Sequence, residues 1–246
     1  MWAVAQMEAK KQFQDKSLVF WTLILPFIFI VGFMFIFGNN APDREQVVNQ
    51  IITGFSVFFP IFIIISIVIS FVKDREKGLV ARLASTPLSV PGYFVGKLLP
   101  FVVIVFLQVV VLSLIGIFIY GLTIAQPFLY FLIALCLAFM VTSWGIGISV
   151  FSKTENTGLV ITQIIAFAAA ILGGLWMPFE ILPEAVQTVG KFLPQYWTHQ
   201  SLISAVTVGP SSVSLGMTFL LIFIYTIIGM TVALAGYKRF LSQSKN

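Results

Sequence analysis

The sequence predicts an all-α integral membrane protein with six membrane-spanning helices. Of its 246 residues, 59% are hydrophobic and only 9% are charged, whereas a soluble globular domain carries about 25% charged residues. So few charged side chains cannot cover a water-facing surface, and lipid must therefore be the solvent for most of the chain. The single cysteine, Cys136, permits neither an intrachain disulfide nor a cysteine metal cluster.

Six apolar stretches have roughly the 20 residues that a helix needs to cross the hydrocarbon core. No charged residue lies between the ends of any of them. The first stretch is too long for the apolar region of a signal peptide, and no small-residue cleavage site follows it, so we interpret it as a retained span. The predicted spans are residues 18–37, 51–72, 98–121, 128–151, 159–176 and 213–236.

The distribution of lysine and arginine predicts that both termini lie in the cytoplasm, because cytoplasmic loops are enriched in these residues. With the N-terminus inside, only Arg44 and Lys191 of the 14 basic residues fall in outside loops. Basic cytoplasmic loops therefore explain the formal net charge of +5 better than binding to nucleic acid does.

The segments between the predicted spans are short and form no second domain. Residues 1–16 mix apolar and charged side chains, a pattern typical of an amphipathic helix that lies in the cytoplasmic interface with its apolar side in lipid. The outside loops at 38–50 and 122–127 are too short to hold a folded domain. We therefore interpret residues 1–246 as one transmembrane domain.

The sequence contains neither an internal energy source nor a visible catalytic site. The predicted spans lack Asp, Glu, Lys, Arg and His, the groups that carry coupling ions in ion-driven transporters. No phosphate-binding loop of the form G-x-x-x-x-G-K-[ST] and no G-x-S-x-G nucleophile elbow occurs. His199 is the only histidine, so one chain cannot supply a pair of histidines to a metal ion. We interpret it as an interfacial polar residue. We expect a membrane pathway that another subunit drives, with no catalytic, metal or cofactor site of its own.

Polar side chains within the predicted spans have two interpretations. Ser66, Thr162 and Gln163 either form hydrogen bonds that hold helices together or line a substrate pathway. The sequence leaves both possibilities open.

The longest predicted cytoplasmic loop, residues 73–97, contains a short amphipathic helix. Charged residues come first, and residues 79–85 then place leucine and valine side chains at helical spacing. Pro87 ends this helix, because the residue before a proline is pushed out of helical geometry. Ser89 suits an N-cap and Pro91 the first turn of the next helix. The apolar face fits either the lipid surface or a groove in another protein.

The segment after the fifth span, residues 173–212, is too interrupted to cross the membrane and too apolar for a water-exposed loop. Helical spacing predicts two short helices within residues 177–209 that re-enter the outer leaflet, where irregular backbone is tolerated only against protein or a cavity. Trp176, Tyr196 and Trp197 are expected at the headgroup level. An interfacial anchor and an outer gate both fit this segment.

Residues of these two segments form a pattern that resembles a known family. They are Glu76, Gly78, Leu79, Arg82, Leu83 and Pro87 in the loop, and Gly173, Gly174, Trp176, Pro178, Pro183, Pro194 and Trp197 in the outer segment. Together they resemble the motifs of type 2 ABC exporter permeases, which include drug-, antibiotic- and polysaccharide-export subunits. The loop follows that family's E-x-G-T-x3-L-x3-P pattern, with leucine in place of the usual threonine.

The resemblance implies that the loop helix docks on a separate ATPase subunit, which binds ATP and magnesium, and that residues 1–16 form an elbow helix near it. It also implies a second permease chain, identical or homologous, with the first, second and fifth spans bordering the path and the outer helices helping to close it. The implied setting is a bacterial cytoplasmic membrane. The expected cargo is an amphipathic drug, antibiotic or antimicrobial peptide, exported as in antibiotic resistance.

Two other functions fit the composition. A channel or secondary carrier would work without an ATPase, although the lack of charge in the predicted spans disfavours ion coupling. A membrane enzyme or an assembly scaffold is the third class. A neighbouring gene for a soluble ATPase with a phosphate-binding loop would distinguish the exporter subunit from both.

Overall fold

The computed structural model describes residues 1–38, 41–78, 89–207 and 213–243. Every regular element in these ranges is a helix, and six helices are long and apolar enough to cross a membrane. The prediction of an all-α polytopic membrane protein is therefore confirmed. The main helices are α1 (Trp2–Phe13), α2 (Phe20–Gly38), α3 (Arg44–Glu76), α4 (Val90–Tyr120), α5 (Pro127–Phe151), α6 (Glu155–Leu172), α7 (Glu184–Gly190), α8 (Pro194–Val206) and α9 (Leu215–Gln243). A short helical stretch, Lys16–Val19, leads directly into α2.

Side-chain caps place the starts of α3 and α4 before the predicted spans. At the start of α3, the Asp43 carboxylate accepts the backbone N–H of Gln46 at 3.0 Å. The predicted Ser89 cap of α4 is confirmed, because its hydroxyl accepts the backbone N–H of Gly92 at 3.3 Å. Lys97, which lay just outside the predicted third span, is consequently part of α4.

The central helix of the bundle is α3. Other helices bury nearly all of its apolar length, whereas α2, α6 and α9 leave most of theirs exposed. Pro60 lies where the helix narrows to a 3-10 turn at Phe59–Phe62, since proline removes a backbone donor. The rings of Phe55, Phe58 and Phe59 pack mostly edge to face, with centroids between 5.0 and 6.4 Å apart.

Glycines let α9 pack closely along α5. An added Cβ at Gly229 would lie 2.8 Å from the backbone nitrogen of Trp144, and one at Gly147 would lie 3.0 Å from the carbonyl oxygen of Gly229. Small residues permit such close approach between membrane helices. Within the described ranges, α5 and α9 share the most extensive contact of any two elements, while α6 and α9 barely touch.

The N-terminal half of α3 is tightly covered by the segment that follows α6. An added Cβ at Gly54 would overlap the carbonyl oxygen of Leu175 and would lie 3.5 Å from Nε2 of His199. Only glycine therefore fits at this position of α3.

We expect Gly54→Ala to destabilise the protein by about 1–3 kcal/mol, because overpacking at a closed site forces the backbone to shift. Gly32→Ala in α2 is the matched control, since nothing lies within 4 Å of an added Cβ there and alanine is the better helix former. Thermal unfolding in detergent, followed by tryptophan fluorescence, measures both. An unchanged midpoint for Gly54→Ala would contradict the close contact between α3 and Leu175.

Candidate functional site

A buried cluster of charges lies where α1, α3 and α4 meet, near the two ends of the α3–α4 loop. Nζ of Lys97 on α4 lies 2.6 Å from Oε2 of Glu8 on α1 and 2.5 Å from Oδ2 of Asp74 on α3. All three side chains are at most 2% exposed. The loop leaves α3 after Glu76 and enters α4 at Val90, about two helical turns before Lys97. The two ion pairs therefore join the last turn of α3 to the first part of α4 and to α1. We call Glu8, Lys11, Ser70, Asp74 and Lys97 the base cluster.

Further hydrogen bonds complete the base cluster. Oε1 of Glu8 accepts the Ser70 hydroxyl at 2.6 Å and the Gln12 amide at 2.7 Å. Lys11 Nζ lies 2.5 Å from Oδ1 of Asp74, and the Lys97 ammonium donates to Ser70 Oγ at 2.6 Å. Two carboxylates thus face two ammonium groups, and the charges balance. Buried ions are retained only when they are paired and hydrogen-bonded in this way.

The base cluster determines how α1 lies on the protein. Val4, Glu8 and Gln12, spaced four residues apart, are buried, and an added Cβ at Gly96 of α4 would lie 3.0 Å from Cβ of Val4. The sequence-based expectation that the apolar side of this helix faces lipid is therefore wrong for Val4. The opposite side, which includes Trp2, is exposed.

The predicted loop residues lie only partly in the described chain. Glu76 is exposed at the last position of α3, and Gly78 follows with φ of 63°, a left-handed conformation that favours glycine. Arg75 fixes this end of α3, because its guanidinium donates to the carbonyl oxygens of Ser152, at 3.2 Å, and Lys153. The other predicted loop residues, Leu79, Arg82, Leu83 and Pro87, lie outside the described residues.

A polar cleft of about 340 Å³ lies between α1 and α3, beside the base cluster. Its lining includes Lys11, Gln12 and Lys73, together with Ser66, one of the predicted pathway residues. The other two pathway candidates do not line it. Thr162 is buried and donates to the carbonyl oxygen of Gly158 at 2.7 Å. Gln163 is half-buried on α6.

The chain turns sharply after α6 at a pair of glycines. The N–H of Gly173 bonds to the carbonyl oxygen of Ala169 at 2.9 Å. Gly174 has φ of 63°, and its carbonyl oxygen accepts the side-chain amide of Gln50 at 2.9 Å. This turn directs the following residue, Leu175, back onto α3.

Trp176 joins three spans instead of marking the membrane surface. Its ring centroid lies 5.1 Å from that of Phe58 on α3, 5.8 Å from Phe167 on α6 and 6.4 Å from Phe33 on α2. The ring therefore packs within the helix bundle, in contrast to the headgroup position that the sequence predicted.

Two short helices, α7 and α8, complete the outer segment. Pro178 precedes a 3-10 turn, Pro183 precedes α7, and Pro194 occupies the first position of α8. Proline favours such starts because it fixes φ and has no N–H to satisfy. The indole N–H of Trp197 donates to the carbonyl oxygen of Lys191 at 2.7 Å, which joins α8 to the end of α7. The residues predicted for the outer segment thus lie in one run of turns and short helices that connects α6 to the end of α8.

His199 of α8 is fully buried, so its predicted interfacial position is wrong. Neither ring nitrogen has a hydrogen-bond partner among the described residues. Burial lowers the pKa of His199 to about 4, and the nearby backbone of Gln50 only partly opposes this shift. The imidazole is therefore neutral at physiological pH.

Sequence reasoning missed the base cluster. Lys97 directly precedes the predicted third span, and Asp74 lies two residues after the end of the predicted second span. Val4, Glu8 and Gln12 are spaced four residues apart and therefore share one face of a helix. These positions could have predicted the base cluster, because the C-terminal end of one span and the N-terminal end of the next lie at the same membrane surface.

We expect Lys97→Met to lower the free energy of unfolding by about 3 kcal/mol or more, because two buried carboxylates would lose their shared partner. Lys73→Met is the matched control. Its side chain is 54% exposed and lies 4.0 Å from Glu155, so solvent screening reduces that pair to about 1 kcal/mol or less. Thermal unfolding in detergent compares the two. Equal losses of stability would contradict the role given to Lys97.

Comparison with known proteins identifies the relatives of the chain. The family model described as ABC-2 type transporter matches residues 1–207. The chain is similar to YvfS of Bacillus subtilis (strain 168), named as a transport permease, with 29% identity over 193 residues, or 77% of this chain and 78% of that protein. It is also similar to the linearmycin resistance permease protein LnrN of the same organism, with 26% identity over 174 residues, or 70% of this chain and 44% of that protein.

Proposed function

Because the chain belongs to the ABC-2 type transporter family, we propose that it is the permease subunit of an exporter that moves amphipathic compounds across a bacterial cytoplasmic membrane. The observation that carries this proposal is the base cluster. It joins the N-terminal helix to the two helices that flank the α3–α4 loop, and this loop is where we expect a separate ATPase to act.

The ATPase partner would bind around the end of α3 and the loop that follows. The exposed Glu76 and the left-handed Gly78 begin this surface, and the predicted loop helix beyond them would complete it. A movement of the loop would displace α3 and α4 together, since Oδ2 of Asp74 on α3 lies 2.5 Å from Nζ of Lys97 on α4. ATP and magnesium would be bound by the partner and not by this chain.

A second permease chain would complete the substrate path. Support comes from α2 and α6, which leave most of their apolar length exposed. On α6 the exposed side chains Val160, Ile164, Phe167 and Ile171 follow helical spacing and form one apolar face. The polar cleft beside Ser66 would be the cytoplasmic end of the path, and α7 and α8 would close its outer end.

The proposed cargo is an antibiotic, drug or antimicrobial peptide with both apolar and polar parts. LnrN is named for resistance to linearmycin, and its likeness to this chain supports a role in resistance to an antimicrobial compound. The apolar spans beside a polar cytoplasmic cleft are consistent with such a molecule. Drug efflux of this kind would contribute to antibiotic resistance.

Glu76→Lys is expected to abolish co-purification with the proposed ATPase partner, together with cargo-stimulated ATP hydrolysis, because it reverses a charge on the proposed docking surface. Leu83→Asp should likewise abolish both co-purification and stimulated hydrolysis. Membrane insertion should persist. Glu45→Lys is the matched control, since it reverses an exposed charge at the opposite end of α3. Normal stimulated hydrolysis in Glu76→Lys would refute the docking role.

The orientation of the chain can be tested by cysteine labelling in a Cys136→Ser background. We expect the Lys77→Cys variant to react with a membrane-impermeant maleimide only after the cells are opened, because the α3–α4 loop is predicted to be cytoplasmic. The Glu180→Cys variant should react in intact cells. Labelling of Lys77→Cys in intact cells would overturn the proposed topology.

A further inference from the structure

The polar cleft between α1 and the end of α3 has one wall made by a single face of α3. Its residues there include Ser66, Ser70, Lys73 and Lys77, which are spaced four, three and four residues apart. Lys77 follows the last residue of α3, but its N–H still bonds to the carbonyl oxygen of Lys73 at 3.1 Å. The two serines are buried and the two lysines are exposed. Along this wall, hydroxyl groups therefore give way to ammonium groups toward the end of α3.

The two exposed lysines are only weakly neutralised. Nζ of Lys73 lies 4.0 Å from Glu155, and both side chains are about half exposed, so solvent screens this pair. Lys77 forms no ion pair within the part of the chain that the structure describes. Like charges four residues apart on a helix repel each other. An anion between these two ammonium groups would remove that repulsion.

The lining of the cleft as a whole carries a positive charge. Its charged side chains are three lysines and two aspartates. Asp74 is already bound by Lys11 and Lys97, at 2.5 Å each, and Asp15 belongs to the opposite wall, beyond the end of α1. One group with a single negative charge would therefore balance the cleft.

The depth of the two lysines in the bilayer favours a lipid over a soluble anion. The predicted second span ends at residue 72, so Lys73 and Lys77 lie one and five residues beyond it. At 1.5 Å per residue they are roughly 2–8 Å from the edge of the hydrocarbon core, which is the depth of the headgroups. Ile69, within the predicted span, also lines the cleft. The cleft thus extends from the headgroup level toward the acyl chains.

We propose that this cleft binds the headgroup of one anionic phospholipid, with the phosphate between Lys73 and Lys77. Lysines at the cytoplasmic surface attract anionic lipids, and Gln14 and Ser66 supply an amide and a hydroxyl for the rest of the headgroup. The inference rests on the proposed function, because it names the ligand that occupies the proposed cytoplasmic end of the path before cargo enters.

The test is native mass spectrometry of the purified full chain in detergent, titrated with dioleoyl phosphatidylglycerol or dioleoyl phosphatidylcholine. We expect one phosphatidylglycerol to bind about tenfold or more tightly than phosphatidylcholine, because only the former carries a net negative charge for the two lysines. Inorganic phosphate at the same concentration should not displace it. The assay uses neither ATPase nor cargo, so its failure would leave the docking test with Glu76→Lys unaffected, and the reverse also holds.

Matched variants separate the cleft from the basic surface around it. We expect Lys73→Gln and Lys77→Gln each to weaken phosphatidylglycerol binding about fivefold, as the contribution of one lysine near a membrane surface predicts. Lys10→Gln is the control, because it removes an exposed charge of α1 that does not line the cleft, and it should leave the affinity unchanged. Gel filtration verifies that each variant is folded.

The possible contrary results differ in what they would show. Equal affinities for the two lipids would mean that the cleft is only a solvated polar surface. Equal weakening by Lys10→Gln and Lys73→Gln would mean diffuse attraction to a basic surface instead of a site. Displacement of phosphatidylglycerol by inorganic phosphate would mean that the cleft takes a soluble anion. Each of these outcomes would overturn the proposal.

Discussion

The packing of α1, α3 and α4 in this permease depends on one buried ammonium group, that of Lys97. Carboxylates from two other helices hold it at 2.6 Å and 2.5 Å. Separating a buried ion from its partners leaves an unpaired charge that costs several kcal/mol. The N-terminal helix, the end of α3 and the first part of α4 are therefore constrained to move as one body, or to admit water when they separate. A hydrophobic contact of similar size would not impose this constraint, because its separation leaves no unpaired charge.

The central helix α3 extends this constraint across the membrane. Its C-terminal end carries Asp74 and Ser70 of the base cluster, and its N-terminal half carries Gln50 and Gly54, which contact the segment after α6. A displacement of the loop would therefore reach the outer helices through a single buried helix. The break at Pro60 is the position where the two halves of α3 could bend relative to each other.

The sequence predicted the features that lipid imposes and missed those that depend on which helices meet. Apolar length predicted the six spans, because a bilayer requires about 20 apolar residues per crossing. It could not show that Glu8 faces Lys97, because an amphipathic helix can turn either side toward protein. The burial of His199 and the packing of Trp176 among three spans were missed for a related reason: polar and aromatic residues suit both a membrane interface and a packed bundle.

The central claim, that Lys97 and Glu8 act as one buried pair, is tested most directly by a double-mutant cycle. Free energies of unfolding would be measured in detergent for Glu8→Gln, Lys97→Met and the double variant. We expect a coupling energy of at least about 1.5 kcal/mol, within the range for residues in direct contact. Losses that add to within about 0.5 kcal/mol, as they do for independent sites, would contradict the claim.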